Sequence, residues 1–407
     1  MKIAIFTETY LPYINGVVTH VKALKDGLEK LGNQVLIVTA DVDAKHHYTK
    51  EGILHCPAKY SKKFYGYGLA APLSSNRLRL LREFDPDVIH IHQEFGIGFS
   101  GMIAARKLNK PLVYTLHTMY DDYLYYVAPR PFIPLMKRIS HRYAHFLATK
   151  SAALTGPSKK VEEFFRECGI DKDVNVVPNP VELDMFDPEK VSAEQKHAFR
   201  EKFGIAEDEM LACFCGRLGK EKSVDVLLNY WAETYRPEDN MKLFIIGEGP
   251  AKDDLMEQAN SLNIKDSVVF AGKVMHPDLP PYYACCDCYV TASLSDTNSI
   301  SMLEAMATGL PVLHRFDKLN QGQVQNGVNG YIFFDANDMY RELKEYQKKS
   351  PEEAEVLRSS VRESVKQAGS ENLANYLLGV YKTVFGETPN NLITHPHIKA
   401  KVHPRRK

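Results

Sequence analysis

Residues 293–311 read Ser-Leu-Ser-Asp-Thr-Asn-Ser-Ile-Ser-Met-Leu-Glu-Ala-Met-Ala-Thr-Gly-Leu-Pro. The apolar spacing over residues 300–307 predicts a short helix, with Thr297, Asn298 and Ser299 suited to its N-cap and Gly309 and Pro311 to its stop. Two carboxylates, Asp296 and Glu304, bracket the helix start with seven residues between them. The unpaired N–H groups and positive dipole end of such a helix favour an anion, and a carboxylate further in accepts hydrogen bonds from hydroxyls. A nucleoside diphosphate carrying a sugar presents both kinds of group.

Outward from this segment, short apolar runs alternate with amphipathic stretches. Residues 2–6 read as a strand, 17–31 as a helix ended by Gly32, and 34–39 as a second strand. Further strands are expected at 88–91, 112–116, 153–156 and 174–177, which gives the first half the rhythm of a doubly wound parallel sheet. After Pro178-Asn-Pro a second series follows, at 211–215, 242–246, 268–270, 288–291, 312–314 and 331–334. The stretch 182–206 reads as the linker. Two such α/β domains facing one another place a cleft between the carboxyl ends of their strands.

The 407 residues suffice for two cores, and 44% hydrophobic residues with zero formal net charge is ordinary globular composition. Charge is uneven along the chain. Residues 123–161 hold no acid against Arg130, Lys137, Arg138, Arg142, Lys150, Lys159 and Lys160, and 52–82 hold none against Lys59, Lys62, Lys63, Arg77, Arg79 and Arg82, so basic surface is expected in the first half. The chain opens on a strand-like run without a signal-peptide pattern, has no apolar run long enough to cross a bilayer, and carries seven cysteines, an odd number. The expectation is a cytoplasmic, reduced protein in which Cys285, Cys286 and Cys288 are buried thiols rather than zinc ligands.

Three further segments belong with 293–311: Lys2-Ile-Ala-Ile-Phe-Thr-Glu-Thr-Tyr-Leu-Pro-Tyr-Ile-Asn-Gly-Val-Val, His117-Thr-Met-Tyr-Asp-Asp-Tyr and Gly216-Arg-Leu-Gly-Lys-Glu-Lys-Ser. Together they resemble the retaining glycosyltransferases of family 4, and within it the bacterial diacylglycerol glucosyltransferases. The resemblance implies an α/β GT-B fold of two Rossmann-like domains. Residues 1–181 would form the acceptor-side domain, with the helix at 370–386 packing back on it, and 182–369 the nucleotide-sugar domain. Residues 387–407 would be a mobile basic tail.

The resemblance also implies roles. Arg217 and Lys222 would neutralise the donor diphosphate, Glu304 would bind the ribose hydroxyls, and Asp296 would contact the donor sugar where the family usually has glutamate. Asn298, Ser299 and Ile300 form the helix start, with Ser299 in place of the usual glycine. Gly16 sits in a loop that closes over the donor, Gly247 and Gly249 in one that cradles the nucleotide, and Gly272, Lys273 and Val274 in one that faces uracil. His117 would contact donor sugar or phosphate, with Tyr120, Asp121 and Asp122 on the acceptor side. The implied reaction moves a hexose, glucose by preference, from a UDP-sugar to a hydroxyl of diacylglycerol or a related lipid at the cytosolic face of a membrane. No metal and no further cofactor are expected: Asp85-Pro-Asp87 precedes its strand and reads as a turn, and His90, His92 and Glu94 at a strand end resemble a metal-free family feature. Peripheral contact with anionic membrane would use residues 59–67 and 131–147, where basic and aromatic residues mix. No groove-reading motif points to nucleic acid. Two alternatives are a transferase acting on a soluble or protein acceptor and a non-catalytic subunit that assists a partner enzyme.

Overall fold

In the computed structural model, residues 1–13, 15–60 and 67–386 are described. The tail expected at 387–407 and most of the basic stretch at 59–67 lie outside them. The first sheet contains β1 (Lys2–Thr7), β2 (Gln34–Asp41), β3 (Tyr48–Lys50), β4 (Ile53–Tyr60), β5 (Gly68–Ala70), β6 (Val88–Ile91), β7 (Leu112–Thr115), β8 (Ala153–Gly156) and β9 (Val174–Val176). Its order is β3-β4-β2-β1-β6-β7-β8-β9, with β5 pairing β4. Pairing is parallel except where β3 and β5 run antiparallel to β4. The connections carry α1 (Gly16–Lys30), α2 (Ser75–Phe84), α3 (Gly96–Leu108), α4 (Leu124–Val127), α5 (Ile133–Lys150) and α6 (Lys159–Glu167).

The first helix of the second domain is α7 (Ala193–Phe203). Its sheet contains β10 (Met210–Cys215), β11 (Met241–Ile246), β12 (Val268–Gly272), β13 (Cys288–Thr291), β14 (Val312–Arg315) and β15 (Gly330–Phe333), all parallel, in the order β12-β11-β10-β13-β14-β15. Around it lie α8 (Val224–Thr234), α9 (Lys252–Ser261), α10 (Pro280–Ala284), α11 (Ile300–Ala307), α12 (Ala336–Gln347) and α13 (Pro351–Val365). The last helix among the described residues, α14 (Ser370–Val384), returns to the first domain, where Leu373, Ala374, Leu377 and Tyr381 share a core with Ile5, Leu24, Leu28 and Val113. Gly27 of α1 makes that approach possible, since a Cβ there would lie 2.3 Å from the Ser370 carbonyl oxygen.

Central strands are buried along their length, as both faces of a parallel sheet must be, which is why they read as continuous apolar runs. Strands β3 to β5 escape that reading: β3 is fully exposed and sits at the sheet edge. The stretch 182–206 is not a free linker. Phe186 and Phe199 are buried in the second core, and a capping box at Ser192 starts α7.

Strand order reverses at β1/β6 in one sheet and β10/β13 in the other, so the crevices open at those carboxyl ends. Asp85 and Asp87 lie at the opposite end: Asp85 takes a left-handed φ of 50° after α2, and Asp87 Oδ2 accepts from the Lys2 amide at 2.7 Å. All seven cysteines are buried and unpaired. Among the described residues no helix is long and apolar enough to cross a membrane.

Candidate active site

The loop after β10 carries Arg217 and Lys222. Its course is set by backbone packed on backbone: Leu218 N–H donates to Glu248 O at 2.9 Å, and Ala251 N–H donates to Leu218 O at 3.0 Å. Gly247, at a φ of 146°, and Gly249 permit this, because a Cβ on either would meet Gly216 O at 1.9 Å or Leu218 O at 2.3 Å. These glycines therefore shape the loop that aims the cations. Gly16, by contrast, opens α1 beneath an Asn15 N-cap, and a Cβ there would rest 3.5 Å from Ile300 Cδ1 across the cleft, an ordinary contact. Gly272 ends β12, and Lys273 and Val274 follow it, Lys273 exposed and Val274 half-buried.

Lys222 Nζ forms an ion pair with Asp296 Oδ1, both side chains less than a fifth exposed. Burial works against each charge, and their attraction outweighs it, leaving Lys222 above the ordinary lysine range and Asp296 below the ordinary carboxylate range. Arg217 Nη2 lies 3.8 Å from Glu221 Oε1, and Tyr125 of the first domain donates to Glu221 Oε2 at 3.0 Å. Ser299 replaces glycine without loss of local order: it is the N-cap of α11, accepting from Met302 N–H at 3.3 Å. Glu304, one turn further on, is buried; its Oε2 accepts from Tyr283 at 3.1 Å and its Oε1 lies 3.0 Å from His276 Nε2. Its hydrogen bond raises the pKa of His276 against the opposing effect of burial. Neither His276 nor Tyr283 carries a sequence signal, since both come from outside the helix they serve.

From the first domain, His117 follows β7 and its carbonyl accepts from Thr297 Oγ1 at 3.3 Å. Asn179 binds Asn298 twice, through its N–H at 2.8 Å and its Nδ2 at 2.6 Å. Lys160 Nζ crosses from α6 to Leu294 O and, at 2.9 Å, to Asp317 Oδ2. Lys160 is thus buried at the domain junction, and Arg77 is buried within the first domain, so neither adds to the basic surface expected of these stretches. A lysine inside a run of basic residues gives no sign of such a role. The three acceptor-side candidates diverge. Tyr120 donates to Glu94 and Asp121 Oδ2 pairs with Lys137 and His141 of α5, each away from Lys222, whereas Asp122 lies within electrostatic reach of Asp296 and Lys160.

Three histidines, His20, His90 and His92, cluster behind His117. His20, His92 and His117 bring ring nitrogens within 4.8 Å of one another, close enough for a metal. His92 Nδ1 and His117 Nε2 are already 2.8 Å apart in a mutual hydrogen bond, so a metal would have to break it. Burial holds all four, with His90, below the ordinary histidine pKa, His20 at about 4, and hence neutral at pH 7. The arrangement offers two fixed cations beside a helix start, two carboxylates and a row of neutral imidazoles, facing one another across the domain junction.

Known proteins match this architecture. The profile described as Glycosyltransferase Family 4 matches residues 14–185, and that of Glycosyl transferases group 1 matches 195–363. An alpha-monoglucosyldiacylglycerol synthase of Acholeplasma laidlawii is 33% identical over 347 residues, covering 83% of this chain and 86% of the relative. The enzyme of the same description from Streptococcus pneumoniae is 30% identical, covering 83% and 76%. Among solved structures, Anabaena HepE in complex with UDP and glucose superposes with a TM-score of 0.72 at 17% identity, covering 94% of this chain and all of that one. Its fold is therefore GT-B, and the chain is a glycosyltransferase that belongs to family 4.

Proposed function

We propose that the enzyme transfers glucose from UDP-glucose to diacylglycerol, with retention and without a metal, at the cytosolic face of a membrane. The observation that carries this reading is the placement of Lys222, Arg217, Asp296 and Glu304 at the carboxyl ends of the second sheet, opposite His117. A departing diphosphate needs its growing charge neutralised, and the half-buried Lys222 with Arg217 supplies that from fixed positions. Glu304, held by His276 and Tyr283, keeps a carboxylate oriented toward ribose hydroxyls, and Asp296 stands beside Lys222 for the sugar. No carboxylate is assigned as a nucleophile, and the departing phosphate takes the acceptor proton on the face it leaves.

The lipid acceptor is supported by the two synthases and by the surface of the first domain. Leu135, Ile139 and Phe146 are exposed on one face of α5, with Phe132 exposed just before its start and the exposed Arg138 and Arg142 beside them. Each basic residue near an anionic surface contributes about 1 kcal/mol to docking. A groove of about 360 Å³, lined by Leu69, Pro72, Phe95, Phe99 and Tyr143, opens nearby, and the Phe95 ring packs edge-on to Tyr120 at 5.6 Å. The test is UDP release from UDP-glucose with and without diacylglycerol-containing anionic liposomes, in EDTA. Liposome-dependent release and glucosyldiacylglycerol formation, both lost in Glu304→Ala, are expected. UDP binding without turnover of any sugar donor would overturn the proposal.

A further inference from the structure

Tyr381, on the returning helix α14, is fully buried, and the partner of its hydroxyl among the described residues is His90 Nδ1 at 2.8 Å. A buried phenol with one partner satisfies itself by donating its proton. His90 Nδ1 is then a lone pair and the His90 proton sits on Nε2, from which it donates to Thr115 Oγ1 at 2.7 Å. The same lone pair is shared with His92 Nε2 at 3.2 Å, and two lone pairs facing one another would repel, so His92 carries its proton there and leaves Nδ1 bare. That bare nitrogen lies 2.8 Å from His117 Nε2, which must donate to it. Because the three imidazoles are neutral, each step fixes the next. The chain ends at His117 Nδ1, which has no partner among the described residues and is left as an acceptor.

We propose that Tyr381 is a positioning residue that, through His90 and His92, holds His117 in the tautomer protonated on Nε2, so that His117 Nδ1 accepts a hydrogen bond from a hydroxyl of the donor sugar. The last step rests on the assignment of His117 to the sugar site. Without the phenol proton, His90 can carry its own proton on Nδ1 and donate to His92 Nε2; His92 then donates from Nδ1 to His117 Nε2, and His117 presents an N–H to the cleft instead of a lone pair. A sugar hydroxyl that donates in the first state must accept in the second, and the geometry made for one does not serve the other.

The test is Tyr381→Phe, which keeps the ring in the core and removes the proton. Histidine-selective ¹⁵N spectra, with the His117 signals identified by their loss in His117→Gln, should show Nε2–H in the parent and a shift toward Nδ1–H in Tyr381→Phe. Thr115→Val, which removes the acceptor for His90 Nε2–H but leaves the phenol proton in place, should keep His117 protonated on Nε2. For transfer from UDP-glucose, kcat should fall about tenfold in Tyr381→Phe, the effect of one mismatched hydrogen bond, with UDP affinity unchanged. An Nδ1–H tautomer in the parent, or an Nε2–H tautomer that persists in Tyr381→Phe, would overturn the relay. The spectra decide that whether or not glucose is the sugar transferred, while unchanged kcat with a shifted tautomer would overturn the link to the sugar.

Discussion

Lys222 spends its charge on Asp296 before any donor arrives, and this gives the two residues opposite signatures. Lys222→Met removes an ammonium that the diphosphate would otherwise share. A hydrogen bond to a charged group is worth about 1.5–3 kcal/mol, so UDP affinity should fall about 10- to 150-fold. Both side chains are less than a fifth exposed, so solvent does little to soften the loss. Asp296→Asn keeps the shape but releases Lys222 from its competitor, so UDP should bind as well as before or up to about tenfold tighter, since 1.4 kcal/mol of freed attraction is a factor of ten. Transfer should still fall, because the carboxylate placed for the sugar is gone. Calorimetric titration with UDP, paired with rates of UDP release, separates the two effects. Equal weakening of UDP binding by both substitutions would refute the reasoning and make the pair a structural brace.

Three further outcomes are expected. Leu135→Ser with Ile139→Ser should reduce sedimentation with anionic liposomes at least tenfold while UDP affinity holds; unchanged sedimentation would remove α5 from the membrane surface. Gly27→Ala should drive a Cβ into the Ser370 carbonyl and cost about 1–3 kcal/mol, read as a lower melting temperature, and a neutral result would mean that α14 shifts freely. Stability should fall on acidification. His20, His90, His92 and His117 are held below 6.5 by burial, so the unfolded chain binds protons that the folded chain does not, and their contribution is full above about 6.5 and lost as pH drops toward 4. Glu8 and Glu94, raised to about 7 by burial, act in the opposite sense between 4.5 and 7, but four groups outweigh two. A melting temperature at about pH 5 equal to that at pH 7.5 would contradict this balance.

The parallel strands could be read from the chain because burial on both faces leaves continuous apolar runs, and β13 falls on residues 288–291 as expected. The helix over Ile300–Ala307 was legible for a different reason, its cap and stop being local chemistry. What could not be read depends on distant chain. Lys160 looks like one more basic residue until α6 is set against residues 294–317, and His276 and Tyr283 gain meaning only when they meet Glu304. Similarly, Asp121 sits inside a motif that points to the acceptor, yet Lys137 and His141, which follow it on α5, turn it aside. The strand-end histidines read as a feature of one loop, whereas the partner of His90 lies on the last helix, 291 residues away.

That last helix also fixes an order of events during synthesis. Ile5, Leu24, Leu28 and Val113 are made before the second domain, but the residues that cover them, Leu373, Ala374, Leu377 and Tyr381, are made after it. The first domain must therefore wait, with one apolar face uncovered, while the whole second domain is translated and folds. A nascent chain stalled before residue 370 would display that face to chaperones until α14 is made and covers it.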